Sequence, residues 1–234
     1  MKNLGFIPVR GGSKRLPRKN LMKLGNTSIT HRAIDTALES KMFEDIILST
    51  DDDEIIEHCK IYKDKIIIDK RDPSLAQDTS TVLEVVNHLM QRLTDEGKTY
   101  DTFTIMLATC PFKKASYIQE GFKLLDNNVD SVISVVEYNF PWEMSLVMDD
   151  EMYMTTALQP SALVTGNTRS QDRKKVYHPN GAFYIGRWES ILRDKNFFKG
   201  NMRGYVMDEL HSKDIDTKVD FEIAEFLLKK GYVC

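Results

Sequence analysis

The sequence predicts an α/β protein whose mostly parallel sheet carries helices on both faces, and three observations carry that expectation. Short apolar runs stop abruptly at turn signals: Leu4 to Val9 ends at Arg10-Gly11-Gly12-Ser13, and Ile46 to Leu48 ends at Ser49-Thr50-Asp51, as buried strands entering loops do. Segments with apolar residues at helical spacing stand between such runs. The alternation persists along most of the chain, which is the pattern of parallel strands joined by right-handed crossovers. The 234 residues, 41% hydrophobic and 29% charged, suit one soluble globular domain spanning 1–234.

Each element has its own signal. Ile29, Ala33, Ile34, Ala37 and Leu38 mark a first helix between the two strands just named. Val82, Leu83, Val85, Val86, Leu89, Met90 and Leu93 mark a second, and Thr81-x-x-Glu84 before them is a capping box. Thr104 to Ala108 reads as a strand, Tyr117 to Leu125 as a helix and Ser131 to Val136 as a strand. From Tyr138 to Tyr177 the periodicity fails: Pro141, Pro160, Gly166, methionines and polar residues interrupt it, so this stretch is expected to be an insertion. The core pattern resumes at Ala182 to Ile185 and Tyr205 to Met207, then closes with a helix carrying Val219, Ile223, Phe226 and Leu227. In such a sheet the functional loops lie at the carboxyl ends of the strands.

Composition excludes several classes of function. Thirty-two Lys and Arg against thirty-five Asp and Glu leave a net charge of -3, so no overall field would hold the protein on nucleic acid or an anionic membrane. No apolar run approaches the about 20 residues needed to span a bilayer. The N-terminus lacks a signal-peptide pattern, which makes the cytoplasm the expected compartment. Cys59, Cys110 and Cys234 are widely spaced, without the pairing of a zinc or redox motif.

Charge is unevenly placed, however. Lys2, Arg10, Lys14, Arg15, Arg18, Lys19, Lys23 and Arg32 precede the first acidic residue, Asp35. Several fall in the loop Arg10 to Asn20 beside Gly11 and Gly12, where bare backbone can approach a polyphosphate; a solvated basic turn is the plainer reading. The spacing is not that of a Walker A loop. Asp214-Ile215-Asp216 would place two carboxylates on one side of an extended chain, able to share a magnesium ion with phosphate oxygens. A helix cap by Asp216 or Thr217, with Asp214 exposed, fits the same residues. Asp51-Asp52-Asp53-Glu54 reads as a helix start. His31, His58, His88 and His211 lack ligand spacing, and neither Cys110 nor Ser13 sits in a nucleophile motif.

The opening Ile7-Pro8-Val9-Arg10-Gly11-Gly12-Ser13-Lys14-Arg15-Leu16-Pro17-Arg18-Lys19-Asn20 resembles that of the acylneuraminate cytidylyltransferases, the CMP-sialic acid synthetases. Four more segments fit in order: Ser49-Thr50-Asp51, Leu75 to Ser80, Asn180 to Ile185, and Asp214-Ile215-Asp216-Thr217 with Asp220-Phe221. The resemblance implies a Rossmann-like nucleotidyltransferase (glycosyltransferase A-like) architecture, with 138–177 as an inserted dimerisation arm. It implies transfer of CMP from CTP to the anomeric hydroxyl of a 2-keto sugar acid, with Mg2+ as cofactor and a homodimer as the assembly. Arg10, Lys19 and Asp216 would be catalytic. Arg10, Gly12, Lys19, Asn20, Arg71, Thr79 and Ser80 would hold the nucleotide, and Asp214 and Asp216 the metal. A carboxylate or a metal-bound hydroxide would accept the proton as the sugar oxygen attacks.

On the sugar side, Asn180 and Tyr184 match the motif that faces the acceptor. Phe197-Phe198 matches an aromatic pair that packs on an acyl methyl group; an ordinary core contact is the other reading of those rings. Arg169 is the expected partner of the sugar carboxylate, chosen over Arg173 in a stretch, Thr168 to Asp172, similar to forms that handle pseudaminic and legionaminic acid. Two departures stand out: Leu107 to Lys113 replaces Gln-Pro-Thr-Ser-Pro-Leu-Arg, and Trp142-Glu143 follows Pro141 where some members have lysine. The alternatives are activation of the eight-carbon sugar Kdo and a non-catalytic nucleotide-sugar binding protein of the same fold.

Overall fold

β1 (Asn3–Pro8) is an interior strand of the sheet, with Leu4 and Phe6 buried on one face and Ile7 on the other. The computed structural model describes residues 1–169 and 174–234. After β1 and a basic loop come β2 (Lys23–Leu24), β3 (Thr27–Ser28), α1 (Ile29–Ser40), β4 (Asp45–Thr50), α2 (Asp53–Cys59) and β5 (Ile67–Lys70). Next are α3 (Val82–Asp95), β6 (Thr102–Ile105), α4 (Ala115–Lys123) and β7 (Ser131–Glu137). An excursion carries β8 (Leu146–Met148), β9 (Met154–Thr156) and α5 (Ala162–Thr165), and the chain closes with β10 (Tyr177–Arg187), α6 (Trp188–Asp194), β11 (Met202–Val206) and α7 (Lys218–Lys229).

Seven strands form the main sheet in the order β11-β7-β10-β6-β1-β4-β5. Its registers place Phe6 opposite Ile47 on one side of β1 and Leu4 opposite Phe103 on the other. All neighbouring pairs are parallel except those of β10, which runs antiparallel to both β6 and β7. The predicted mostly parallel sheet is therefore correct, and the exception has a cause. Among the described residues no crossover helix separates β7 from β10, and the chain returns antiparallel beside the strand it left.

Helices cover both faces. Ile29, Ala33, Ile34 and Ala37 of α1, Ile118 of α4 and Phe221, Ala224 and Leu227 of α7 belong to one core cluster. Val85, Val86, Leu89, Met90 and Leu93 of α3 pack with Trp188 and Ile191 of α6 in the other. The ends of these helices follow from their sequence. At α3 the Thr81 hydroxyl accepts the Glu84 N–H while the Glu84 carboxylate accepts the Thr81 N–H at 2.6 Å. Asp52 caps α2 through the N–H groups of Glu54 and Ile55, so the acidic run is a helix start. Each such cap contributes about 1 kcal/mol.

The irregular stretch is a distinct arm. β8 and β9 pair antiparallel, and Val147, Met148, Met152, Tyr153 and Met154 of this hairpin are all more than half exposed. Tyr138, Phe140 and Trp142 extend the apolar surface at its base. So many exposed apolar side chains in one short stretch are uncommon on an isolated monomer. Among the described residues no helix is long and apolar enough to cross a membrane.

Candidate active site

The sheet order creates the site. From β1 the chain steps outward to β4 and β5, then returns to place β6 on the other side of β1, so the loops after β1 and β6 diverge and leave a crevice at their carboxyl ends. A cleft of about 310 Å³ opens there, lined by Pro8 and Arg10 from the first loop and Leu107, Ala108 and Thr109 from the other. Lys14, Arg15, Lys19, Arg71, Asp78, Ser80 and Asp216 also reach it. Leu75, Val82, Val85 and Leu107 supply an apolar wall.

The first loop is braced against the rest of the fold. Gly11 is required by close approach: a Cβ there would lie 2.1 Å from the Asp52 carboxylate. Its N–H donates to Asp51. Gly12 instead borders open space beside a second hollow formed by Gly11, Ser13, Lys14 and Arg18. Arg18, at φ 58, turns its guanidinium onto Asp52 and Glu54. Asn20 is buried and donates to the Arg10 carbonyl at 2.8 Å, while its own carbonyl accepts the Thr30 hydroxyl. Asn20 thus shapes the loop from behind.

Lys19 joins the two ends of the chain. Its ammonium donates to the Ile215 carbonyl at 2.8 Å and to Asp216 Oδ1 at 2.9 Å, and Arg15 binds Asp216 Oδ2 at 2.7 Å. Burial opposes ionisation of Asp216, but Lys19 and Arg15 outweigh it and hold the carboxyl below the usual carboxylate range. Asp214 moves the other way: burial of its carboxyl and the Asp216 charge push it up, against a Thr109 hydrogen bond and the Lys19 charge. Neither aspartate caps α7. Thr217 does so, in a capping box with Asp220, and Asp214 as a residue stays exposed.

Arg71 is buried where it lines the cleft and donates to the Ser49 carbonyl at 2.7 Å, tying the loop after β5 to the end of β4. Desolvation lowers its pKa, against the charges of Asp51 and Asp69. Ser80 donates to the Ser74 carbonyl and lines the cleft; Thr79 is exposed and does not. Lys14 and Arg10 both pair with Asp78 across the opening.

The expected sugar residues lie apart from that cleft. Asn180 is buried at the irregularity in β10, its amide donating to the Ser212 hydroxyl at 2.8 Å and its carbonyl oxygen accepting the Ala182 N–H. Gly181 at φ 77 allows that turn against Leu107. The Tyr184 ring lies 6.3 Å from that of Phe197, tilted against it, and 6.0 Å from that of Phe198, edge to face. The two phenylalanines divide: Phe197 is a core residue packed on Phe103, and Phe198 is half exposed. Arg169 is exposed in the arm region, Arg173 lies outside the described residues, and Glu143 sits in a short turn of the arm.

Sequence reasoning missed Arg15, Asp78 and the apolar wall. Arg15 was visible only as one of many basic residues, and its pairing with Asp216 depends on the fold. The donor set fits a hard cation, since two carboxylates plus substrate phosphates and water are a common magnesium arrangement. Among the described residues no group of three or more His, Cys, Asp or Glu could hold a metal alone.

A crevice at the switch point, a basic glycine loop and Asp216 at its edge are the arrangement of a nucleotidyltransferase. A profile of the cytidylyltransferases matches residues 4–223, and the chain belongs to that family. It is 32% identical over 235 residues to the pseudaminic acid cytidylyltransferase of Campylobacter jejuni subsp. jejuni serotype O:2, covering 99% of this chain and 98% of the relative. The N-acylneuraminate cytidylyltransferase of Escherichia coli O18:K1:H7 is 32% identical across 98% of this chain and 52% of its own length. The CMP-N,N'-diacetyllegionaminic acid synthase of Legionella pneumophila is 27% identical over 98% and 97%. Among solved structures, a CMP:2-keto-3-deoxy-manno-octonic acid synthetase complexed with CTP superposes with a TM-score of 0.71 at 14% identity, over 99% of this chain and 100% of its own. That likeness concerns the fold.

Proposed function

We propose that the protein transfers CMP from CTP to the anomeric hydroxyl of a nonulosonic acid, a nine-carbon 2-keto sugar acid, releasing pyrophosphate. The observation that carries the reading is the meeting of Lys19, Arg15 and Asp216 at the mouth of the cleft. A binding protein would need cations for the triphosphate but no acidic pair beside them. The sugar oxygen forms a bond to the α-phosphorus, the bond from that phosphorus to the bridging oxygen breaks, pyrophosphate leaves, and the hydroxyl proton is released. Arg10, Lys14, Arg15 and Lys19 neutralise the triphosphate and the leaving group, and the fixed geometry supplies most of the acceleration.

The apolar wall of Leu75, Val82, Val85 and Leu107 shelters the nucleoside, with Arg71 and Ser80 framing it. Asp214 and Asp216 would hold Mg2+, which would neutralise phosphate charge and polarise the α-phosphoryl group. Lys19 and Arg15, which here contact Asp216, also stand where they can reach the phosphates. The relatives' names span pseudaminic, N-acylneuraminic and legionaminic acids, so the reading concerns the class of acceptor. Likeness to the octonic acid synthetase carries the fold alone and gives no preference for the eight-carbon sugar. The exposed apolar arm packs on a second copy to make a homodimer, and the enzyme works in the cytoplasm, where CTP is found.

The test is pyrophosphate release with CTP, Mg2+ and a panel of the three nonulosonic acids plus the eight-carbon acid, with ATP, GTP and UTP as controls. CTP-dependent release with a nine-carbon acid supports the reading. Release only with the eight-carbon acid, or none despite CTP binding, overturns it.

A further inference from the structure

Lys113 is a charged side chain with 3% of its surface exposed, set among Ala108, Cys110 and Phe112, which are buried as fully. Its ammonium donates to the carbonyl of Leu107 at 2.6 Å and to that of Cys110 at 2.8 Å. Those two carbonyls bracket Ala108 and Thr109, which line the cleft. Thr109 in turn faces the aspartate pair. Its carbonyl accepts the Ile215 N–H at 2.8 Å, and its side chain hydrogen-bonds the Asp214 carboxylate. Ile215 passes the connection on, because its own carbonyl accepts the Lys19 ammonium.

We propose that Lys113 is a positioning residue for CMP transfer: it clamps the loop after β6 so that Thr109 holds Asp214, Ile215 and Asp216 in register with Lys19. The claim rests on the functional reading above. An ammonium is expensive to bury, and methionine, one heavy atom shorter, would fill most of the space without that cost. Desolvation, the largest influence, lowers the pKa to about 8, against the effects of Cys110 and Asp214. A buried charge kept at such a cost, behind the loop that lines the cleft and outside the cleft itself, suits a clamp, since two carbonyls converging on one point need a donor with several protons.

The experiment compares Lys113→Met, Lys113→Arg, Thr109→Val and the Lys113→Met/Thr109→Val double variant in the full chain. Steady-state kinetics give kcat and KM for CTP and acceptor. Electron paramagnetic resonance of Mn2+ with CTP, without acceptor, gives cation affinity independently of turnover. Loss of the clamp is expected to lower kcat and weaken Mn2+ binding by about 10- to 100-fold, with KM for CTP changed by less than about threefold. Lys113→Arg should recover most of the loss, and Thr109→Val should add little to Lys113→Met, because both act through one route.

Lys113→Met with wild-type kcat and Mn2+ affinity overturns the proposal, as do losses that multiply in full in the double variant. Should Lys113→Met fail to fold, Thr109→Val and Lys113→Arg decide: the proposal requires weakened Mn2+ binding in the first and near-normal binding in the second. Absence of pyrophosphate release by the wild type with every acceptor would count against the functional reading, while the Mn2+ comparison would still judge the clamp.

Discussion

Lys19 Nζ lies 2.9 Å from Asp216 Oδ1, a contact between residues 197 positions apart that closes the first loop of the chain on the last. Both groups are held: Lys19 is nearly buried, and Arg15 occupies the other carboxylate oxygen. The pair thus holds the charges of the two loops against each other at the mouth of the cleft.

Asp216→Asn should therefore reduce kcat by at least about 100-fold while the melting temperature stays within a few degrees. The amide keeps the shape and one acceptor for Lys19 but cannot bind a hard cation well. Pyrophosphate release at saturating CTP and Mg2+ measures this, and a variant with nearly full activity would refute the metal assignment.

Arg169→Ala should raise KM for the sugar acid by about tenfold or more and leave KM for CTP unchanged, as expected of a residue that binds the acceptor carboxylate. Arg169 lies in the arm region outside the nucleotide cleft, so a matching rise in KM for CTP would contradict that role.

Asp52→Ala should cost about 1 kcal/mol of stability by removing the α2 cap and the Arg18 partner. Burial works against the Asp52 charge, but Arg18 and the Glu54 and Ile55 N–H groups hold its carboxyl below the usual value. The folded pKa is thus under the unfolded one, so the contribution is complete above about pH 4 and fades as pH falls through the folded value. Urea titrations of both proteins at neutral and acidic pH should show the difference shrinking on the acid side.

Lys113 titrates near 8 in the fold and about 10.4 in the unfolded chain. Between those values the unfolded state binds more protons, so wild type gains stability relative to Lys113→Met as pH rises, by on the order of 3 kcal/mol in all. Chemical denaturation from pH 7.5 to 10.5, in about half-unit steps, measures the difference; a flat line would mean that the ammonium is not buried.

Tyr153→Glu and Met148→Glu should convert a dimer to monomer, since both side chains stand on the exposed apolar hairpin and a charge there opposes burial. Sedimentation of wild type and variants measures the mass. A wild-type monomer, or a variant dimer of unchanged affinity, would remove the arm from the assembly.

Local signals made much of the fold legible. The runs at Leu4 and Ile46, the α3 capping box and the helical spacing of α1 and α7 depend on neighbours a few residues away, and the structure reproduces them. The acidic run at Asp51 also read true as a helix start. β5 does carry a short apolar run, Ile66 to Ile68, that the expected alternation left out, and its residues are half open to solvent at the edge of the sheet. The β8–β9 hairpin was hidden for a related reason: its apolar side chains face outward, so no core imposes a period on them.

The site divides in the same way. By itself the sequence determined the alternation of strand and helix, the basic glycine loop, the aspartate pair and the family motifs, because each is written in contiguous residues. Only the tertiary structure decided that β10 runs antiparallel, that Phe197 is core while Phe198 is open, that Asn20 braces a loop, and that Arg15 and Lys19 share Asp216. Those outcomes depend on groups brought together from distant parts of the chain, where sheet order and burial set the geometry and local spacing carries no information about the partner.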